Sequence, residues 1–281
     1  MSTFTTRLIS GTVYVALIVL VLLLSMVWGL WILLSFFAVA GIIEFNRLTG
    51  INRPYIFRIV LDCAAAVWLL YATAQYGMAI SHGLAIFLPY LLYLLYVVCR
   101  SAFLPHQAML PSLSNSLIGQ LYIAVPLALT IRLTLVVDPF SSMTQFDGLL
   151  LLAIFIFIWV NDTGAYLVGS RWGKRRLAPN ISPKKTVEGS IGGLLLVLLS
   201  AVVLRLLLFP ELSWLRILLI ATVVAVFGTI GDLFESSLKR QAGVKDSGKL
   251  IPGHGGILDR IDSLLLAVPA VYLLLAFLDL Y

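Results

Sequence analysis

Nine stretches of about twenty apolar residues recur along the 281-residue chain, and nothing constrains its fold more. A helix of that length crosses roughly 30 Å of hydrocarbon. The runs fall at Leu8–Val27, Leu30–Phe45, Ile56–Gln75, Ile80–Cys99, Leu113–Val136, Leu149–Gly169, Ser190–Phe209, Trp214–Leu238 and Ile261–Leu280. Only Trp28 and Gly29 separate the first two, which could equally form one long kinked helix. Charged residues are 11% of the chain and the mean hydropathy is +1.05, too few polar groups to clothe a water-soluble globule. The expected class is all-α, a polytopic integral membrane protein with about nine transmembrane helices. No repeat, low-complexity tract or linker divides the chain, so one helical membrane domain over residues 1–281 is expected. Arg7 alone precedes the first run and no small-residue cleavage site follows it, which predicts a retained helix rather than a removed signal.

Cytoplasmic loops accumulate Lys and Arg, and translocated loops do not. With nine spans and the N-terminus inside, sixteen of the nineteen basic residues fall on the cytoplasmic side. The other three, Arg132, Arg205 and Arg216, lie near helix ends, where long side chains can snorkel to the interface. This bias predicts a cytoplasmic N-terminus and an outside C-terminus. It also accounts for the net charge of +6 without a nucleic-acid partner. Cys63 and Cys99 lie inside spans and read as small apolar core residues. The sequons at Asn161 and Asn180 fall on the cytoplasmic side and are taken as chance.

Ionisable groups at membrane depth are costly, so the placement of the thirteen acidic residues is informative. Glu44, Asp62, Asp162, Asp232, Glu235, Asp259 and Asp262 all fall within about two turns of a cytoplasmic helix end in this topology, in one layer. Asp232 and Glu235 are three apart in the eighth span, as are Asp259 and Asp262 at the start of the ninth. Each pair can share a helix face, and the two can meet across a helix hairpin. Carboxylates there suit a hard divalent cation such as Mg²⁺, which takes one or two of them with substrate phosphates and water. Taken singly, Glu44 and Asp62 read as interfacial acids, snorkelling or salt-bridged to nearby bases. The neighbours of the Asp232, Asp259 and Asp262 set are what phosphate chemistry requires. Gly253, Gly255 and Gly256 free the backbone to approach a ligand, while Lys239, Arg240, Lys245, Lys249 and Arg260 supply donors to phosphate oxygens.

A second loop, Ser170–Ser190, carries six basic residues against one acidic, with Ser182-Pro183 as a helix start and Gly189 opening the seventh span. Its plain reading is a positive-inside loop on anionic lipid. The preceding NDTGAYLVG segment, which sets Asn161 and Asp162 just inside the membrane, raises a functional one. Gly192 and Gly193, like Gly228 and Gly231, would let helices approach closely. Pro89, Pro126 and Pro269 lie inside spans and should kink them, with or without functional consequence.

The segment SSLKRQAGVKDSGKLIPGHGGILDRID, Ser236–Asp262, resembles the signature of the phosphatidate cytidylyltransferases (CDP-diacylglycerol synthases). Ser236, Lys239, Arg240, Lys245, Asp246, Gly248, Ile251, Pro252, His254, Gly255, Gly256, Asp259, Arg260 and Asp262 meet every specified position. NDTGAY and SPKKTVEG upstream are also similar to that family, so the resemblance covers residues 160–281, a catalytic core with its signature at 236–262. Residues 1–140 resemble it only in hydropathy and span count.

The resemblance implies condensation of CTP with phosphatidic acid to CDP-diacylglycerol and pyrophosphate in phospholipid biosynthesis. It implies Mg²⁺ dependence, with a second, monovalent cation left open; a homodimer is expected because membrane enzymes of this size often are homodimers, and the expected location is the bacterial inner (plasma) membrane. The lipid phosphate is already largely dianionic near neutral pH, with a second pKa of roughly 6, so no protein base is required. Catalysis should then be positioning and charge neutralisation. On this reading Asp232 and Asp259 are the principal metal ligands, with Asp262 and Asp246 secondary. Lys239, Arg240, Lys245, Lys249 and Arg260 hold CTP or the leaving pyrophosphate, and Lys184 and Lys185 hold the other phosphate group. His254 donates a hydrogen bond in the glycine loop with Gly255 and Gly256, and Asn161 and Asp162 serve either the metal or the orientation of a ligand. Two other readings stay open: a CTP-dependent transferase acting on an ether-lipid phosphate or a polyprenol, and a cation- or proton-coupled transporter.

Overall fold

The computed structural model describes residues 3–24, 26–49, 56–78, 83–137, 143–251, 253 and 255–278, residues 3–9 by their backbone alone. The chain forms two compact units, Met1–Gly148 with Asp246–Asp259, and Leu149–Lys245 with Arg260–Tyr281. The signature is divided between them, with Asp246–Asp259 in the first unit and its flanking residues in the second.

The first unit contains α1 (Thr3–Leu23), α2 (Val27–Leu48), α3 (Ile56–Gly77) and α4 (Leu88–Ala102), the last entered through a 3-10 turn, Gly83–Phe87. A continuous rod follows: α5 (His106–Gly119), a π-helical turn (Gln120–Ala124) and α6 (Val125–Leu133). Strands β1 (Leu135–Val137) and β2 (Thr144–Phe146) pair antiparallel, with Leu135 opposite Phe146. The first two helices are separate: α1 ends at Leu23 and α2 begins at Val27, so Trp28 and Gly29 lie within α2 rather than between the helices. The core is a seam of Leu34, Phe37, Ile42 and Phe45 from α2, Leu70 from α3, and Ile123, Leu127 and Ile131 from the rod. Pro89 is in the first turn of α4, where a missing N–H costs little, so the kink expected there has no cause, whereas Pro126 lies inside the rod, directly after its π-helical turn.

A buried polar network ties this unit together. Asp62 of α3 accepts from Tyr93 of α4 (2.7 Å) and Ser116 of α5 (3.1 Å), and its carbonyl accepts from Gln120 (2.8 Å). Arg58 pairs with Asp62 at 3.8 Å and donates to Asn46, which also accepts from Asn115 at 2.7 Å. Hydrocarbon offers no partners to such groups, so they bond one another across helices. Asp62 is therefore salt-bridged as expected, but buried rather than snorkelling.

The second unit contains α7 (Leu149–Trp172), the hairpin β3 (Arg176–Ala178) and β4 (Ser182–Thr186), α8 (Val187–Leu207), α9 (Trp214–Gln241) and α10 (Leu258–Phe277), whose residues from Arg260 onward it holds. Helix α7 packs along α8, and α9 packs on both. Ile191, Leu195 and Leu199 of α8 are all more than half exposed and recur about every turn. Such a stripe would be costly against water and suits acyl chains. Among the described residues, eight helices are long and apolar enough to cross a membrane, with Gly83–Ala102 and His106–Leu133 each counting as one. Among the described residues, the apolar part of α1, Ser10–Leu23, is shorter. The protein is a polytopic helical membrane protein.

Ser182-Pro183 does not start a helix. Residues 182–186 form β4, and α8 begins one residue later behind Thr186, whose hydroxyl accepts from the Gly189 N–H at 3.1 Å. Proline, with no N–H to give, tolerates an edge strand, and threonine supplies the cap that the serine was expected to provide. Cys63 is half-buried and Cys99 exposed on its helix, so Cys99 is not a core residue.

Candidate active site

Glycine sets how closely α7 and α8 approach. A β-carbon at Gly193 would stand 2.8 Å from the Asn161 carbonyl oxygen, and one at Gly189 would stand 2.7 Å from that of Ala165. The close crossing expected of Gly192 and Gly193 is thus realised against α7. Gly231 of α9 lies against the Asp262 and Ser263 backbone of α10, and Gly228 makes ordinary contact with Ser263. Asn161 is held at the crossing, donating to Thr229 of α9 at 3.1 Å.

Beyond the crossing the second unit opens into a cavity of about 540 Å³, lined among others by Asn161, Asp162, Arg176, Lys184, Lys185 and Asp232. Its basic rim comes from the β3–β4 hairpin. Glu188, in the first turn of α8, pins that hairpin by accepting from the Lys174 and Arg175 amides at 3.0 and 3.1 Å and pairing with the Arg175 side chain at 3.2 Å. Strand β4 then directs Lys185 into an ion pair with Asp232, each side chain 28% exposed. Asp232 also accepts from Ser236, one turn on, at 3.2 Å. The charges of Asp162, Asp232 and Asp262 reach one another, with Lys185, Arg260 and Lys239 as the nearby cations.

Other expected residues of this unit have different employments. Lys239 forms a buried ion pair with Glu235, so Glu235 is held by a lysine rather than presented with Asp232. Arg240 braces the chain, donating to the Val244 carbonyl at 2.9 Å and the Ile181 carbonyl at 3.3 Å. Lys245 is exposed.

The signature loop is built within the first unit. Oδ2 of Asp259 accepts from the amides of Ser247 (2.9 Å) and Gly256 (2.8 Å) and from the Ser247 hydroxyl (2.9 Å). Ile251 and Gly255 close a tight turn through a 2.9 Å backbone bond, with Gly255 at φ +86°. Gly255 and Gly256 were expected to admit a ligand, and what stands against them is the protein's own acids. A β-carbon at Gly255 would meet Asp259 at 2.5 Å, and one at Gly256 would run into Glu44 and Ser247. Asp246 and Lys249 are exposed. Pro252 and His254 lie outside the described residues.

Over residues 5–278 the sequence fits the family model described as the cytidylyltransferase family. The chain belongs to that family. It is 51% identical over 121 residues to the phosphatidate cytidylyltransferase of Bacillus subtilis (strain 168), covering 43% of this chain and 45% of that protein. It is 47% identical over 133 residues to the enzyme of that name from Staphylococcus haemolyticus, and 47% over 136 residues to that from Staphylococcus aureus (strain COL). Each of these two alignments covers 47% of this chain and 51% of the relative. The chain thus spans about half the length of the relatives it matches.

The cavity carries both signs of charge, with Arg176, Lys184 and Lys185 beside Asp162 and Asp232. Among the described residues, no three His, Cys, Asp or Glu side chains form a ready-made metal cage. Mg²⁺ does not require one, since it binds through one or two carboxylates and substrate phosphates. Oxygen donors whose charges repel one another, with Lys185 supplying the positive charge at Asp232, fit such an ion. Sequence reasoning named Asn161, Asp162, Lys184, Lys185 and Asp232, and the fold gathers all five around one cavity. It did not single out Arg176 or Thr229, whose only sequence signal is a place in a basic loop and one turn before Asp232.

Proposed function

We propose that this protein is a phosphatidate cytidylyltransferase, converting CTP and phosphatidic acid to CDP-diacylglycerol and pyrophosphate. The observation that carries the reading is the cavity in which Lys184, Lys185 and Arg176 face Asp162 and Asp232. Polyphosphate is bound by such cations, and the acids suit the cation that accompanies it. Asp232 would hold Mg²⁺ with Asp162 and Asp262, and the bound ion would offset charge on the phosphate oxygens. Lys184, Lys185 and Arg176 hold the CTP phosphates, with Lys185 turning from Asp232 to phosphate, and Asn161 orients the ligand from the α7–α8 crossing. Arg260 and Lys245 neutralise the leaving group. A lipid phosphate oxygen then attacks the α-phosphorus in line, the bond to the β-bridging oxygen breaks, and pyrophosphate departs. No proton need be removed from the nucleophile.

The test is pyrophosphate release by the full chain in mixed micelles with CTP, phosphatidic acid and Mg²⁺, beside ether-lipid phosphate and polyprenol substrates. Turnover with phosphatidic acid supports the reading. Turnover with another lipid alone reassigns the substrate, and inertness with all of them overturns it. The proposal also includes a homodimer in a bacterial inner membrane with a cytoplasmic N-terminus. A cysteine at Pro179 should react with an impermeant maleimide only from the cytoplasmic side, and one at Glu211 only from the other.

A further inference from the structure

Glu44, read from the sequence as an interfacial acid snorkelling or salt-bridged to nearby bases, is buried inside the protein, and among the described residues its partners are a hydroxyl and backbone amides rather than a base. It is 3% exposed near the end of α2, and both its oxygens serve the signature loop. Oε1 accepts from the Ile257 amide at 3.1 Å, and Oε2 accepts from the Leu258 amide at 2.9 Å. The Ser247 hydroxyl stands 3.0 Å from Oε2 of Glu44 and 2.9 Å from Oδ2 of Asp259, and bridges the two acids with one hydrogen. A carboxylate at the first amides of α10 also meets the positive end of the helix dipole.

The loop is shaped around this side chain. A β-carbon at Gly248 or at Gly256 would overlap the Glu44 carboxylate. Two glycines of the signature are thus explained by a residue about two hundred positions away in sequence. A buried carboxylate is costly unless fully bonded, and here backbone amides and one hydroxyl do the bonding. The first turn of α10 carries Asp259, Arg260 and Asp262, so fixing the amides of Ile257 and Leu258 fixes where those side chains stand on the helix.

We propose that Glu44, with Ser247 as its bridge, is a positioning residue for the reaction. It holds the signature loop and the acidic first turn of α10 in their working geometry, and so gives the N-terminal half of the chain a part in catalysis. The inference rests on the cytidylyltransferase reading for its effect on turnover, but not for its effect on the loop.

The experiment compares full-length wild type, Glu44→Gln, Glu44→Asp, Ser247→Ala and the Glu44→Gln/Ser247→Ala double variant in micelles. Gln keeps the shape but sets an NH₂ against one of the donors, and a lost bond to a charged acceptor weakens loop closure about ten- to a hundredfold. Trypsin cleavage at Lys245 and Lys249, both exposed and flanking the anchored residue Ser247, reads that opening directly. Cleavage, measured well below the thermal midpoint of every variant, should accelerate by that factor in Glu44→Gln. kcat per folded molecule should fall at least about tenfold, Asp should restore part of it, and the double variant should lose less than the two single losses combined. An inactive wild type would refute the proposed function while leaving the cleavage result to judge the anchor. Wild-type cleavage in Glu44→Gln would overturn the anchor, and accelerated cleavage with wild-type kcat would overturn the positioning role.

Discussion

Adding a single methyl group at Gly193 should loosen the second unit, whereas the same change at Gly228 should not. An alanine at Gly193 would bring its β-carbon to 2.7 Å from Oδ1 of Asn161, 2.8 Å from the Asn161 carbonyl and 3.3 Å from the Ala165 nitrogen. The backbone contacts cannot rotate away, so α7 and α8 must part by about 0.6 Å to restore ordinary separation near 3.4 Å. Alanine gains up to about 1 kcal/mol of helix propensity over glycine. Forced overpacking costs about 1–3 kcal/mol. The net loss should be up to about 2 kcal/mol, a fall of up to roughly 8 °C in the thermal midpoint of the micellar protein. At Gly228 the nearest atom, Cβ of Ser263, would stand 3.6 Å away, so Gly228→Ala keeps the propensity gain and melts at or slightly above the wild type. Because Asn161 lines the cavity, Gly193→Ala should also lower pyrophosphate release, and Gly228→Ala should not. A Gly193→Ala variant that melts at or above Gly228→Ala would refute the reasoning that this crossing is set by backbone contact.

Asp232→Asn and Lys185→Met should each lower pyrophosphate release at least about a hundredfold. Both side chains are partly exposed, so unfolding curves should stay at the wild-type position, and activity within threefold of wild type would count against their roles. Lys239→Met leaves Glu235 buried and fully inaccessible without its lysine, which should cost about 3–5 kcal/mol in denaturant titration. Adding Glu235→Gln should recover much of that loss. Chelation of divalent ions should abolish turnover without unfolding the protein, and Mg²⁺ titration should restore it; full activity in excess chelator would remove the metal from the mechanism. Arg176→Ala should raise the KM for CTP about tenfold, a single charge-assisted contact being worth roughly that factor.

Helices were legible because crossing a bilayer demands one unbroken apolar run per span, and that demand is local. The run Leu149–Gly169 became Leu149–Trp172, and Trp214–Leu238 became Trp214–Gln241. Their ends moved outward where the sequence turns polar, since backbone bonding outlasts the hydrophobic signal. Local polarity misled at Ser182-Pro183, because a proline suits an edge strand as well as a first helical turn, and the choice was made by Glu188 and Thr186 holding the hairpin. The acids near Lys184 and Lys185 could be found because helix ends on one side of a membrane share a layer. Which acid meets which cation could not be read, and Glu235 was grouped with Asp232 on spacing alone while Lys239 claims it.

Glu44 shows why the remainder was hidden. Within its own helix it follows seventeen apolar or small residues and precedes Arg47, which makes an interfacial salt bridge the natural reading. Its actual partners are Ser247, 203 positions on, and two backbone amides, which carry no residue-type signal in any sequence. The trace it leaves is negative: a small residue at 248, which only matched the signature, and another at 256, which was read as making room for a ligand. A glycine reports that something approaches the backbone closely without reporting what. In a loop of this kind the protein's own carboxylates are as able to fill that space as a phosphate, and only the fold distinguishes them.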